Sequence, residues 1–227
     1  ARGGKVIIPA FAVGRTQQLI YVLNQLTQSG RLPDVPIFVD SPLSVNATEV
    51  FRLHPECFDK EAYDHLRTKG NPFSMDHLTY VREGAQSKKL NDLTLPCIII
   101  SASGMAEAGR IRHHLSNNLG DPRNLILFVG YCAEHTLGHL IVSGRSPVNI
   151  FGVPHEVKAQ IARIDAFSGH AGKSELTGYV NSLSGSFQKI TVVHGEESSS
   201  LAFGKTLQAL KPQAEVVVPQ RGQIVEF

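Results

Sequence analysis

The chain has 227 residues, 42% hydrophobic and 19% charged, which allows one large domain or two small ones and excludes a disordered or collagen-like polymer. Lysine and arginine total 22 against 20 acidic residues, and a net charge of +2 gives no general field toward nucleic acid or membrane, so any polyanion site must be local. Cys57, Cys97 and Cys132 stand far apart without a CxxC, which excludes a disulfide framework or a zinc ribbon and fits a reducing cytoplasm.

The chain opens on Ala1-Arg2-Gly3-Gly4-Lys5, with no start methionine and no signal peptide, so a piece of a longer protein is expected. Val6-Ile7-Ile8, then apolar Leu19, Ile20, Leu23 and Leu26 at helical spacing, then Ile37-Phe38-Val39 read as strand, helix, strand. The same grammar returns with Cys97 to Ile100 before a helix over 107–117, and with Leu125 to Val129 before one over 136–142. Near-continuous apolar strands predict a parallel sheet covered on both faces, an α/β fold. The charged stretch 51–95, broken by Pro55, Gly70 and Pro72, reads as peripheral helices and a long connection. Val148 to Val153 and Val157 to Ile164, separated by Pro154-His155, predict an antiparallel hairpin. The tail returns to α/β, with helices over 174–183 and 199–210 and strands over 190–193 and 214–218. A boundary is expected near residue 155. No run reaches the roughly 18 apolar residues of a membrane span, so a cytoplasmic protein without a membrane partner is expected.

Three strand ends carry small polar residues just before a helix, where parallel sheets place ligands and free backbone N–H groups favour anions. These are Ala12-Val13-Gly14-Arg15-Thr16, Ser101-Ala102-Ser103-Gly104-Met105 and Gly130 to Thr136. The first lacks the GxxxxGK spacing of a nucleotide P-loop. A phosphate-binding edge and the ordinary preference of short loops for small polar residues explain the three equally well. Of the ten histidines, His54, His65, His77, His113 and His114 lie in polar contexts and read as solvated surface. His170, among small residues in Ala166 to Gly172, and His194, ending a strand in Val193-His194-Gly195-Glu196, occupy functional positions. No HxHxDH or HExxH occurs, and neither histidine has further ligands at metal spacing, so these residues cannot close a zinc site alone.

In order along the chain, Ile8 to Gln17, Ser101 to Met105, Gly130 to Gly138, Phe167-Ser168-Gly169-His170 and Val193 to Glu196 resemble the motifs of the β-CASP branch of the metallo-β-lactamase superfamily. That group includes the nuclease subunit of the cleavage and polyadenylation specificity factor, its bacterial and archaeal relatives and the RNase J enzymes. The resemblance implies a β-CASP domain over 1–155, lacking its first portion, and over 156–227 the returning C-terminal part of a metallo-β-lactamase αββα domain, the RNA-specificity segment. It implies that the parent is a zinc-dependent RNA-processing nuclease, endo- or exonucleolytic, and that this chain, without the HxHxDH half, is inactive by itself and holds no tight zinc. By resemblance His170 is the catalytic histidine that assists the leaving group, and His194 is a ligand of one of two Zn²⁺ ions. His194 favours RNA, since DNA-repair members tend to carry valine there. Arg15, Ser103 and Thr136 match RNA phosphate contacts. The expected partners are RNA, the absent half of the lactamase domain and, as in many prokaryotic relatives, a second copy of the chain. Gly172 stands where many relatives have aspartate, and His135 and His139 replace a glycine and an arginine. A non-catalytic RNA-binding scaffold is the alternative, with a small-molecule metallo-hydrolase behind it.

Overall fold

The computed structural model describes residues 3–167 and 169–226. Its contacts divide the chain into two units, residues 1–167 and 168–227.

The first unit contains β1 (Val6–Pro9), α1 (Arg15–Gln28), β2 (Ile37–Asp40), α2 (Pro42–Leu53), a 3₁₀ turn (Pro55–Cys57), α3 (Lys60–Lys69) and β3 (Leu78–Val81). It continues with α4 (Gly84–Lys89), β4 (Ile98–Ser101), α5 (Ile111–Asn118), β5 (Leu125–Phe128), α6 (Leu137–Val142), β6 (Val148–Ile150), β7 (Val153–His155) and β8 (Gln160–Arg163). Six strands form one sheet in the order β3-β2-β4-β1-β5-β8, and every neighbouring pair is parallel. This is the α/β architecture the apolar strands predict.

Alternation along the strands explains the two covered faces. Ile7, Ile99 and Ile126 point to one side, where they pack with Ile111, Leu115 and Leu119 from and after α5 and with Leu137 and Ile141 of α6. Ile8, Ile37, Val39, Ile98 and Ile100 point to the other, against Leu19, Ile20 and Leu23 of α1 and Val45 of α2. Each wholly buried isoleucine contributes about 2–3 kcal/mol of apolar transfer. Helix starts are written locally: Ser41 Oγ accepts from Ser44 N with Pro42 in the first turn, and Asp59 caps α3 at Ala62 N.

Two expectations are corrected here. The stretch 51–95 is not only helices and connection, because β3 pairs with β2 at the sheet edge. The hairpin exists but is shifted: β6 pairs with β7, and the turn is Phe151-Gly152, with φ of 55° and 79°. Both turn residues are left-handed, the geometry of a type I′ hairpin turn, which a phenylalanine does not advertise. The second run instead becomes β8 and joins β5 in parallel.

The second unit contains α7 (Lys173–Ser182), β9 (Lys189–Thr191), α8 (Glu197–Leu210) and β10 (Glu215–Val217). β9 and β10 are parallel and α8 connects them, packing Leu207 inward. Gly204 lets α8 approach the sheet, since a Cβ there would come within 3.0 Å of Val218.

Candidate RNA-binding edge and histidine positions

Because β4, β1 and β5 are adjacent and parallel, the loops after them share one edge of the sheet. The three loops also touch. Ala10 N donates to Ser101 O, the Phe11 ring covers Gly104 so closely that a Cβ would meet it at 3.0 Å, and Gly138 N donates to Met105 O. Arg15 opens α1 at this edge; its Nη1 donates to Gln18 Oε1 at 2.9 Å, and its guanidinium lies 5.5 Å from the centre of the Phe167 ring. Burial draws the Arg15 pKa below its ordinary value.

Ser103 belongs to a loop closed on itself: its N donates to Ala108 O, its carbonyl accepts from Ala106 N and its Oγ accepts from Ala108 N at 3.3 Å. Among the described residues its hydroxyl hydrogen has no acceptor, so it can serve an anion. Thr136 is more committed, since it caps α6 by accepting from His139 N and donates to Ala133 O at 2.7 Å. Glu107 accepts from Leu137 N and ties the second loop to the third. Arg15, Ser103 and Thr136 are thus carried on three loops in mutual contact.

In the second unit His170 is exposed in the turn before α7. Ser168 of the same motif lies outside the described residues. Gly172, at the place of the relatives' aspartate, is the N-cap of α7, and its N donates to Glu175 Oε2 at 2.7 Å. Only half of a capping box is present, because glycine has no side chain to return the bond. His194 follows β9 in the left-handed conformation, φ 63°, and lines a cavity of about 480 Å³ with Val192, Ser200, Val218, Gln220 and Arg221. His170 and His194 therefore sit in different segments of one unit. Among the described residues no three His, Cys, Asp or Glu side chains come together as a metal site, so a zinc centre does not fit this chain's own donor set.

The sequence reading missed one cluster. Asp40, at the end of β2, is fully buried, and its carboxylate receives Arg110 Nη1 at 2.7 Å, Ser87 Oγ at 2.6 Å and His114 Nε2 at 2.6 Å. Arg110 also donates to the carbonyls of Val81 and Arg82, joining the ends of β2 and β3 to the start of α5. His114 is not solvated surface, because it lies on the same face of α5 as Leu115 and is 1% exposed. His65 is buried as well, edge-on to Tyr21 with ring centres 5.3 Å apart, and burial pushes its pKa down. A signal existed: an acidic residue ending the apolar run Ile37 to Val39 needs a cationic partner.

A parallel sheet with helices on both faces, followed by a small parallel β-α-β unit carrying a histidine at a strand end, defines a two-part α/β protein with its ligand loops at strand ends. Residues 16–141 match the Beta-Casp domain model, and residues 154–219 match the model of a Zn-dependent metallo-hydrolase RNA specificity domain. The chain belongs to the Beta-Casp family. It is 39% identical over 223 residues to Ribonuclease TTHA0252 of Thermus thermophilus, covering 98% of this chain and 50% of that protein. Against two proteins of Methanocaldococcus jannaschii it is 36% identical over 215 residues to transcription termination factor FttA and 34% identical over 224 residues to an RNase J-like protein. Those matches cover 92% and 98% of this chain, and 34% and 50% of the relatives. The chain spans about half the length, or less, of the curated relatives it matches. The RNA-specificity match begins at residue 154 and the second compact unit at 168, so β8 belongs to the former range and to the first sheet. No helix of the described residues is long and apolar enough to cross a membrane.

Proposed function

We propose that this chain is the β-CASP cassette, residues 1–155, and the RNA-specificity segment, residues 156–227, of a zinc-dependent ribonuclease that hydrolyses RNA phosphodiester bonds. The observation that carries the proposal is the succession of the two family matches along one chain, with His194 held open at the end of β9 inside the second. Arg15 and Ser103 bind RNA phosphates, the first through its planar fork and the second through its uncommitted hydroxyl hydrogen. Thr136 joins them only if a phosphate takes its hydrogen from Ala133 O. His170 gives a proton to the departing oxygen. Two zinc ions belong to a complete polypeptide in which residues beyond these add the ligands His194 lacks, and the 227-residue chain alone neither cuts RNA nor retains tight zinc. Work in the cytoplasm and pairing of two copies are part of the same reading.

Labelled single-stranded RNA and DNA of matched sequence, offered to the polypeptide of the full reading frame with zinc, test this. Cleavage of the RNA supports it. Binding without cleavage makes the protein an RNA scaffold, and hydrolysis of small esters without RNA cleavage makes it a small-molecule hydrolase.

A further inference from the structure

A cavity of about 300 Å³ lies in the first unit, between the start of α5, the loop before α6 and β6. Its wall holds two guanidinium groups, Arg112 and Arg145, with His135, Asn149 and Glu107. Four other arginines, Arg52, Arg110, Arg123 and Arg163, each meet a carboxylate at 2.8, 2.7, 2.7 and 2.6 Å. Arg112 and Arg145 have no such partner among the described residues, although they share one concavity. Glu107 shares this wall and keeps its negative charge while its Oε1 accepts from Leu137 N, so the hollow carries two cations against one anion. An added oxyanion would balance the charge that Glu107 leaves uncompensated.

The geometry around Arg112 is prearranged. Its guanidinium lies 4.4 Å from the centre of the Phe151 ring, and His113 stacks on that ring at 4.6 Å. Phe151 stands in the left-handed turn between β6 and β7, and its ring is in contact with both Arg112 and His113 of α5. Stacking leaves the edge N–H groups of a guanidinium open to an oxyanion. The cavity has room for a phosphate and an attached sugar.

We propose that this cavity is a second phosphate-binding site, separate from Arg15, Ser103 and Thr136, which takes the phosphate group of a nucleotide, whether free or within RNA. Its RNA form rests on the ribonuclease reading; its free-nucleotide form does not.

Titration calorimetry of the chain with inorganic phosphate, adenosine 5′-monophosphate and a short RNA with hydroxyl ends tests the site. Arg112→Gln and Arg145→Gln each weaken the bound probe about ten-fold, the loss of one charge-assisted contact, while Arg67→Gln, at an exposed position of α3 outside the cavity wall, leaves phosphate binding unchanged. Binding of phosphate and the monophosphate alone supports a free-nucleotide site, and Arg145-dependent binding of the hydroxyl-ended RNA supports an internal phosphate. If Arg112→Gln unfolds through loss of the Phe151 stack, the exposed Arg145 decides. The proposal is overturned if no probe binds the chain, or if binding is unchanged in Arg145→Gln. RNA cleavage with an inert cavity removes this site and leaves the nuclease reading standing; an occupied cavity without cleavage does the reverse.

Discussion

His114 Nε2 and Asp40 Oδ2 meet at 2.6 Å in the interior, where neither side chain is more than 1% exposed. Burial alone pushes the Asp40 carboxyl up, but hydrogen bonds from His114, Ser87 and Arg110 outweigh it and hold the carboxyl below its ordinary value. Unfolded, the same group titrates near about 3.9. A depressed folded value stabilises the fold fully above that pH and loses its effect as pH falls through the folded value.

Asp40→Asn is therefore expected to cost about 3 kcal/mol at pH 7, since it leaves Arg110 and His114 facing a neutral group. Urea midpoints measured from pH 7 downward check it: the gap between wild type and variant holds down to about pH 4 and closes only as pH falls further, through the folded value. A gap that stays constant through that fall would contradict the assignment.

Gly109 carries φ of 79°, and a Cβ there would lie 2.4 Å from Ala102 O. The backbone cannot yield cheaply. Gly109→Ala is expected to lose more than about 2 kcal/mol and to loosen the loop that holds Ser103, which hydrogen exchange at Ala106 and Ala108 would register as faster opening.

Thr136 separates a structural role from a binding one. Thr136→Ala removes the α6 cap and is expected to cost about 1 kcal/mol, whereas Thr136→Ser keeps the oxygen and loses little. RNA affinity measured on both checks the phosphate contact, because an effect in Thr136→Ala no larger than its loss of stability would leave Thr136 as a cap alone.

Gly172 tests the departure from the relatives' pattern. Its φ of −74° suits any residue, and the nearest atom to an added Cβ is Glu175 Oε2 at 3.5 Å. An aspartate would cap α7 but face the Glu175 carboxylate, so Gly172→Asp is expected to shift stability by less than about 1 kcal/mol. Thermal melting reads this directly.

The sheet was legible because β1, β4 and β5 are uninterrupted apolar runs, and their alternating isoleucines can only be buried on both faces. β3 was hidden because Leu78-Thr79-Tyr80-Val81 is a short edge strand beside polar loops. The hairpin turn misled for a local reason: Phe151 accepts a left-handed backbone with Arg112 and His113 stacked on its ring, and those partners come from α5. Pro154-His155 looked like the turn and lies in β7. His170 and His194 stood out as imidazoles among small residues at segment ends, but Asp40 and His114 are 74 residues apart and only the fold makes them a pair. That Arg112 and Arg145 meet no carboxylate among the described residues is likewise a tertiary fact.

His170 and His194 are the two residues proposed to act in RNA hydrolysis. Single-turnover cleavage of labelled single-stranded RNA by the polypeptide of the full reading frame, beside His170→Ala and His194→Ala, tests this most directly. Both side chains are exposed, so both variants should fold. The prediction is a fall of about a hundred-fold or more in each, with melting unchanged and zinc content reduced only in His194→Ala. Unchanged cleavage in either variant would contradict the role assigned to that histidine, and unchanged cleavage in both would remove the catalytic reading of the second unit.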